Sequence, residues 1–146
     1  MKVAFGNDHA ALQLKRELLA HLAELGVEVM NHGVDTEDPV DYPEIAAAVA
    51  RAVAGGEAEL GFLACGTGIG MSMAANKVPG VRAALCCCEY QARMAREHNW
   101  ANICCLGARV TGSGLAKAIA TAFIGTPTSG EPRHLRRVQQ ITALEG

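Results

Sequence analysis

The stretch LGFLACGTGIGMS, residues 60–72, decides the fold of this chain. Its first six residues are almost entirely apolar, which is typical of a strand covered on both faces, as in a parallel sheet. The three glycines that follow, Gly66, Gly68 and Gly70, indicate a tight turn, and we expect a helix to start near Gly70. The stretch therefore predicts a buried strand that passes through a glycine-rich loop into a helix.

Short apolar runs alternate with segments of helical periodicity in both directions from this stretch. The other predicted strands are 2–5, 27–30, 81–86 and 103–106. Such alternation favours parallel strands joined by right-handed crossovers. We therefore predict an α/β fold for residues 1–146 as a single domain, with a doubly wound, Rossmann-like sheet of five parallel strands and helices on both faces.

One further helix is predicted beyond the alternation of strands and helices. Residues 113–124 complete the last strand–helix unit, and the basic segment 133–144 has helical periodicity with no strand after it. A helix outside the alternation is often used in contacts between subunits. The sequence therefore predicts an extra C-terminal helix that serves an oligomer.

The bulk composition excludes several classes of partner. With 13 Lys and Arg against 15 Asp and Glu, the net charge is -2, so no overall positive field is available for nucleic acid. No apolar run reaches the roughly 18 residues of a membrane span, and no membrane partner is expected. Six cysteines without a predicted signal peptide indicate reduced thiols, and we expect a cytoplasmic protein.

Polar and reactive side chains follow the predicted strands. They are Asp8 and His9 after the first strand, Tyr42 in the acidic loop after the second, Cys65 at the end of the third and Arg109 after the fifth. The carboxyl ends of parallel strands meet at one edge of the sheet, where open α/β sheets bind their ligands. We therefore predict an active-site crevice at this edge.

The glycine-rich loop could stabilise developing negative charge, because its glycines let several backbone N–H groups point to one place. The alternative is a tight turn that needs glycine only for its backbone geometry. The loop is not a dinucleotide-binding fingerprint, since it follows the third strand and no suitably placed acidic residue closes a following strand. It is not a P-loop either, because it lacks the Lys-Ser or Lys-Thr pair.

Cys65 is the candidate base or nucleophile. Its thiol would face the loop amides and the start of the next helix, and both environments favour the reactive thiolate form. The alternative is a buried structural cysteine, the reading we favour for the other five. Those five are expected as neighbours in strands, at 86–88 and 104–105, without a C-x-x-C spacing, so no zinc site is expected.

His98 and a set of arginines complete the candidates. His98 closes the fourth helix and could act as a general acid or base at the crevice, or could serve only as a cap for the helix. Arg109 and the basic helix that carries Arg133 and Arg137 could bind phosphate. The alternative for that helix is a solvated basic surface.

Six ordered motifs carry a resemblance that covers nearly the whole chain. They are GNDHAALQLK at 6–15, VDYP at 40–43, CGTGIGMSMAANKVPGVRAAL at 65–85, AREHN at 95–99, LGARV at 106–110 and RHLRRV at 133–138. In these motifs the chain resembles the type B ribose-5-phosphate isomerases, a family that also contains subunits of galactose-6-phosphate isomerase.

The resemblance implies an aldose–ketose isomerase without metal or cofactor, in which Cys65 moves a proton between C1 and C2 of the sugar through an enediolate. His98, with Thr67 nearby, would help to open the furanose ring. The implied oxyanion amides belong to Gly68, Ile69, Gly70, Met71 and Ser72. The implied substrate contacts are Asp8, Tyr42 and Asn99 to hydroxyl groups, and His9, Arg109, Arg133 and Arg137 to phosphate.

The same resemblance implies that some of the phosphate-binding cations come from a second subunit. A homodimer with an active site shared between its subunits would follow, with the pairing of dimers into tetramers left open. This assembly would also explain the extra C-terminal helix.

Two positions bear on the base and on the substrate. Some relatives use a glutamate inside the glycine loop where this chain has Met71, which cannot take a proton, so the role of base falls to Cys65. Trp100 follows the His-Asn pair where a small or acidic residue is commoner, and it could narrow or reshape the sugar pocket.

The leading hypothesis is therefore interconversion of ribose 5-phosphate and ribulose 5-phosphate. Allose 6-phosphate or a tetrose 4-phosphate is an alternative substrate, and a subunit of galactose-6-phosphate isomerase is the second hypothesis. The third is a non-catalytic sugar-phosphate binding module, which would keep the arginines without needing Cys65.

Overall fold

The computed structural model describes residues 1–146, and its framework is one sheet of five parallel strands. The strands are β1 (Lys2–Asn7), β2 (Glu28–Asn31), β3 (Leu60–Cys65), β4 (Ala83–Leu85) and β5 (Ile103–Gly107), in the order β2-β1-β3-β5-β4. The central strand β3 pairs with β1 and β5, and its last residue lies opposite Gly107. The predicted α/β fold class is confirmed.

Six α-helices join and follow these strands. They are α1 (Leu12–Glu24), which follows a short 3-10 turn at His9–Ala11, α2 (Tyr42–Ala54), α3 (Ile69–Ala75), α4 (Glu89–Asn99), α5 (Ser113–Gly125) and α6 (Pro132–Ala143). No strand follows α6, so the predicted extra C-terminal helix is confirmed. None of the helices has the length and apolar character that a crossing of the bilayer requires.

The apolar sequence of β3 is explained by helices that cover both faces of the sheet. Leu60 and Phe62 point into a core under α1, α4 and α5. Leu63 and Cys65 point to the other face, into a core under α2 and α3. Since full burial of a large apolar side chain stabilises a protein by roughly 1.5–3 kcal/mol, both faces of this strand hold the fold together.

The order of the strands opens a crevice between the carboxyl ends of β1 and β3. The chain leaves β1 toward α1 on one face of the sheet and leaves β3 toward α3 on the other face. The two loops therefore diverge, and such a switch point is where open α/β sheets bind ligands. Cys65 stands at one side of the crevice and Asp8 at the other.

The fourth strand is shorter than predicted. The apolar run 81–86 predicted one strand, but only Ala83–Leu85 pairs with β5, and residues 86–88 form the loop before α4. The main chain of Ala83 is occupied on its outer side by Asn76, whose side chain accepts from Ala83 N at 2.8 Å and donates to Ala83 O at 2.9 Å. The length of the strand was overestimated because Val81 and Cys86 are buried outside β4, although the Cys86 amide still donates to the Cys105 carbonyl at 3.1 Å.

Candidate active site

Cys65 ends the central strand directly below the glycine-rich loop. The residue is 5% exposed, and its Sγ accepts a hydrogen bond from the Gly68 amide at 3.1 Å. Its carbonyl is fixed by the Ala108 amide at 2.8 Å, which ties the loop after β3 to the loop after β5. An amide N–H directed at sulfur stabilises negative charge there, so the position suits a proton-transferring thiol.

The glycines at 68 and 107 are required by close approach of the backbone. Gly68 has φ +78°, and a Cβ there would lie 2.9 Å from the Leu106 carbonyl carbon. A Cβ on Gly107 would lie 2.6 Å from the Thr67 carbonyl oxygen. The loop of β3 and the end of β5 therefore pack main chain against main chain, which fixes the direction of the loop amides.

Only part of the predicted oxyanion set has free N–H groups. The Gly68 amide is bonded to Cys65, and the Ser72 amide donates to the Gly68 carbonyl at 3.1 Å as the first bond of α3. The Ile69 amide has a longer bond of 3.3 Å to Thr67 Oγ1. The amides of Gly70 and Met71 have no acceptor within the chain.

Two predicted substrate-contact residues pack on this loop. The Tyr42 ring lies against Gly70, where an added Cβ would be 2.6 Å from Tyr42 Cε2. The Arg109 guanidinium covers Gly66, where an added Cβ would be 3.2 Å from Nη1. Small residues at 66 and 70 thus let a phenol and a cation approach the backbone near Cys65.

Met71 has its side chain in the core under α2 and α3, fully buried. Only the backbone of Met71, through its free amide, therefore belongs to the loop at the candidate site. The thioether of Met71 cannot accept a proton. Because the side chain is also buried, only the N–H of this residue can contribute to the site.

The loop after β1 fixes Asp8 and His9 at the other side of the crevice. Asp8 Oδ1 accepts from the Ala10 amide at 2.9 Å, so Asp8 caps the 3-10 turn. His9 Nδ1 accepts from the Val40 amide at 3.2 Å, which assigns the proton of the neutral ring to Nε2. His9 can therefore offer an N–H donor to an anion through the nitrogen that remains free.

Lys15 and Asn7 hold the loop after β2, and the sequence analysis did not assign Lys15 to the site. Lys15 is only 2% exposed, and its Nζ donates to the Val34 carbonyl at 3.0 Å and to Asp35 at 2.8 Å. Asn7 Nδ2 donates to the same Val34 carbonyl at 3.0 Å. The available signal was periodicity, because Lys15 lies on the buried side of α1 with Leu18.

His98 and Asn99 lie at the opposite edge of the sheet from Cys65. A helix after a parallel strand runs back along it, so α4 ends where the strands begin. Just after α4, the Asn102 amide donates at 3.0 Å to the carbonyl of Arg82, which precedes β4. From Ile103, β5 rises four residues before it is level with Cys65, a distance of about 13 Å.

The expectation that His98 lies at the crevice of its own chain is therefore corrected. Arg133 and Arg137 share its location, because α6 packs against α4 and the His134 ring centroid lies 4.2 Å from that of His98. One chain brings together Asp8, His9, Tyr42, Cys65, Thr67 and Arg109. It brings His98, Asn99, Arg133 and Arg137 together as a second group at the other edge.

His134 is a member of the second group that sequence reasoning missed. It is 4% exposed, and its buried Nδ1 has no hydrogen-bond partner. Burial lowers the pKa of His134, and the neighbouring His98 and Arg133 add to the effect. The lowered pKa favours the uncharged ring of His134, which lies against His98 with the two ring planes tilted by 32°.

The cysteines of β5 have the environment of structural thiols. Burial raises the pKa of the Cys105 thiol strongly, with Cys86 and Cys65 adding to the shift. A hydrogen bond with Cys86, followed by burial, raises the pKa of Cys104. Both remain protonated at neutral pH, and all six cysteines are free.

A cavity of the chain lies away from Cys65. It has a volume of about 630 Å³ and is bordered by Val81, Arg82, Asn99, Ile141 and Leu144. These residues belong to the amino edge of the sheet and the end of α6.

Fold and site together define an open α/β protein of the Rossmann-like class, with a glycine-rich loop that leaves two amides free and a buried thiol at the carboxyl edge of its sheet. Comparisons with known proteins agree. The chain is 49% identical over 144 residues to ribose-5-phosphate isomerase B of Escherichia coli, covering 99% of this chain and 96% of that protein.

Two further relatives are similar over most of their length. The structure of type B ribose 5-phosphate isomerase from Trypanosoma cruzi has a TM-score of 0.96 and 50% identity, covering 99% of this chain and 98% of that chain. D-erythrulose-4-phosphate isomerase of Pectobacterium atrosepticum is 42% identical over 132 residues, 89% of this chain and 86% of that protein. The model of the ribose/galactose isomerase family matches residues 3–141, and the chain belongs to this family.

Proposed function

We propose that this isomerase interconverts ribose 5-phosphate and ribulose 5-phosphate, with residues 1–146 acting as one sugar-phosphate isomerase domain and Cys65 as its base. The observation that carries the proposal is the Sγ of Cys65 under the loop amides, held by the Gly68 N–H at 3.1 Å. The names of the relatives from Escherichia coli and Trypanosoma cruzi support the choice of substrate.

The proposed chemistry needs a base, an oxyanion site and no metal or cofactor. The Cys65 thiolate takes the proton from C2 of the open-chain aldose, and the C–H electron pair forms the C1–C2 double bond of an enediolate. Negative charge moves to the oxygen at C1, where the free amides of Gly70 and Met71 can donate to it. The proton of the C2 hydroxyl then passes to the oxygen at C1, and return of the proton from Cys65 to C1, with a carbonyl formed at C2, gives the ketose.

The second group of residues enters this proposal through a second copy of the chain. Ring opening requires an acid–base group, for which we propose His98 of the second copy, near Thr67 of the first. The separation of about 13 Å along the sheet supports two copies, since one chain cannot bring His98 to its own Cys65. The homodimer remains a prediction, as does its pairing into a tetramer.

Phosphate and hydroxyl recognition follow the same division. His9 and Arg109 of one copy would bind the phosphate together with Arg133 and Arg137 of the other. Asp8 and Tyr42 would contact sugar hydroxyl groups, joined by Asn99 of the other copy. Binding energy from the phosphate, remote from C1 and C2, can orient the flexible open-chain sugar.

A second candidate substrate is a four-carbon sugar phosphate. The relative from Pectobacterium atrosepticum, 42% identical, is named for D-erythrulose 4-phosphate. The chemistry at C1 and C2 would be the same, and only the distance from the carbonyl to the phosphate would change. Turnover of allose 6-phosphate and a role as a subunit of galactose-6-phosphate isomerase are further possible outcomes of the test below.

We also propose a cytoplasmic location, because all six cysteines are free thiols.

The test is turnover of purified protein on ribose, allose, galactose and erythrulose phosphates, with the variants Cys65→Ala and His98→Ala. Cys65→Ala is expected to lower kcat by at least about a hundredfold, the usual contribution of a positioned base. Cys87→Ala is the matched control, because Cys87 is exposed and outside the proposed machinery. Full activity of Cys65→Ala would exclude it as the base.

Mixing the two inactive variants tests the shared site. If each site combines Cys65 of one copy with His98 of the other, random exchange restores about a quarter of the wild-type activity, since half the dimers have one intact site. If each site uses one chain alone, mixing restores nothing. Turnover on no sugar phosphate would favour a missing second polypeptide or a binding module.

A further inference from the structure

The indole of Trp100 is directed at the segment before α6 rather than at the crevice. Its Nε1–H donates to the Ser129 carbonyl at 3.0 Å. The Ser129 amide in turn donates to the Glu97 carbonyl at 2.9 Å. The carbonyl and the amide of Ser129 are therefore both bonded to residues at the end of α4, although 29 residues separate Ser129 from Trp100.

The attachment continues from Ser129 into the first turn of α6. Ser129 Oγ accepts from the Glu131 amide at 3.1 Å. Glu131 is the residue before α6, and its carboxylate pairs with Arg133 Nε at 2.8 Å. A continuous set of contacts therefore leads from Trp100 to the guanidinium of Arg133.

The backbone of Trp100 indicates that its side chain is needed. It has φ 52° and ψ 36° and is the one non-glycine residue of the chain with positive φ. A bulky residue is strained in this left-handed region, which glycine or asparagine occupies at less cost at the end of a helix. Strain of this kind persists where surrounding contacts hold it.

We infer that Trp100 is a positioning residue for phosphate recognition, which it serves by fixing Arg133 through Ser129. The inference rests on the proposed function, in which Arg133 binds the substrate phosphate from a second copy. The expectation that Trp100 narrows the sugar pocket is replaced by an action through α6. In this arrangement Trp100 lowers KM without taking part in proton transfer.

The variant Trp100→Phe tests the inference, since it keeps an aromatic ring and removes the N–H donor. We expect KM for ribose 5-phosphate and the Ki of inorganic phosphate each to rise about fivefold, the effect of one hydrogen bond, with kcat changed by less than about twofold. His21→Phe is the matched control, because it removes a 2.7 Å ring-nitrogen bond to Thr121 on the outer surface. The control is expected to leave KM and Ki unchanged.

A double-mutant cycle separates positioning from general stability. In an Arg133→Ala background, Trp100→Phe is expected to add no further rise in KM, since the residue it positions is gone. An equal rise in both backgrounds, or no rise in either, would overturn the inference. Ser129→Ala, which removes only the Oγ acceptor of Glu131, provides a milder variant with an expected rise in the same direction and the same dependence on Arg133.

The inference can also be tested if the proposed function fails. Titration of inorganic phosphate into wild-type protein and Trp100→Phe measures anion binding without turnover. Weaker phosphate binding by the variant supports the positioning role even if no sugar phosphate is isomerised. Equal affinity of the two proteins overturns it, whatever the substrate.

Discussion

Replacement of Gly68 by alanine would remove the conformation on which the loop depends. Gly68 has φ +78°, and its added Cβ would lie 2.7 Å from Leu85 Cδ1 and 2.9 Å from the Leu106 carbonyl carbon. The left-handed backbone costs a residue with a Cβ roughly 1–2 kcal/mol, and overpacking against a fixed main chain costs typically about 1–3 kcal/mol. The free energy of unfolding should therefore fall by about 2–5 kcal/mol, and Tm by about 6–15 °C.

Gly26→Ala is the matched control for Gly68→Ala. Gly26 has nearly the same φ, +74°, and nothing within 4 Å of an added Cβ. It should show only the backbone strain, a loss of about 1–2 kcal/mol. Urea denaturation at fixed protein concentration measures both variants, since association would alter the apparent stability. Equal losses in the two variants would refute the close approach of Leu106 to Gly68.

Two further predictions concern buried titratable groups. Lys15→Met should lower the free energy of unfolding by about 1–3 kcal/mol, because the charged hydrogen bond from the buried ammonium to the Val34 carbonyl is lost, although Asn7 still donates to that carbonyl. Asp35→Asn, at a carboxylate that is 78% exposed, should cost less than about 1 kcal/mol. Equal losses of the two variants in urea denaturation would contradict this difference. Burial lowers the pKa of His134, so the unfolded chain binds its proton at higher pH, and stability should fall as pH decreases below about 6.5. Thermal unfolding between pH 5 and 8 should show a smaller loss for His134→Phe, and an identical pH dependence would count against this origin.

The sequence was sufficient for the fold because its strands are buried on both faces. A strand such as Leu60–Cys65 admits no polar face, and the glycines after it indicate a turn at its end. Strand ends were predicted less well, since Val81 and Cys86 are buried but lie outside β4. An apolar residue in the sequence indicates that a position is buried. Whether that position pairs in the sheet depends on the neighbouring strand, which the sequence pattern does not show.

The candidate site could be predicted only in part for a topological reason. Residues that follow strands, such as Cys65 and Arg109, collect at one edge whatever the order of the strands. His98 lies at the end of α4, and a helix that follows a parallel strand ends at the opposite edge of the sheet. The position of His98 therefore could not be inferred from the polar residues that precede it in the sequence. Lys15 and His134 were missed because charged and imidazole side chains are usually assigned to the surface.

The side chain of Asn76 covers part of one edge of the sheet. A strand at the border of a sheet normally presents N–H and C=O groups to which a strand of another molecule can add, which is a route to aggregation. At β4 the outward donor and acceptor of Ala83 are both taken by one carboxamide, at 2.8 and 2.9 Å. With only three residues in that strand, the pair of main-chain groups at Ala83 is closed to an incoming strand, and Asn76 protects this part of the edge.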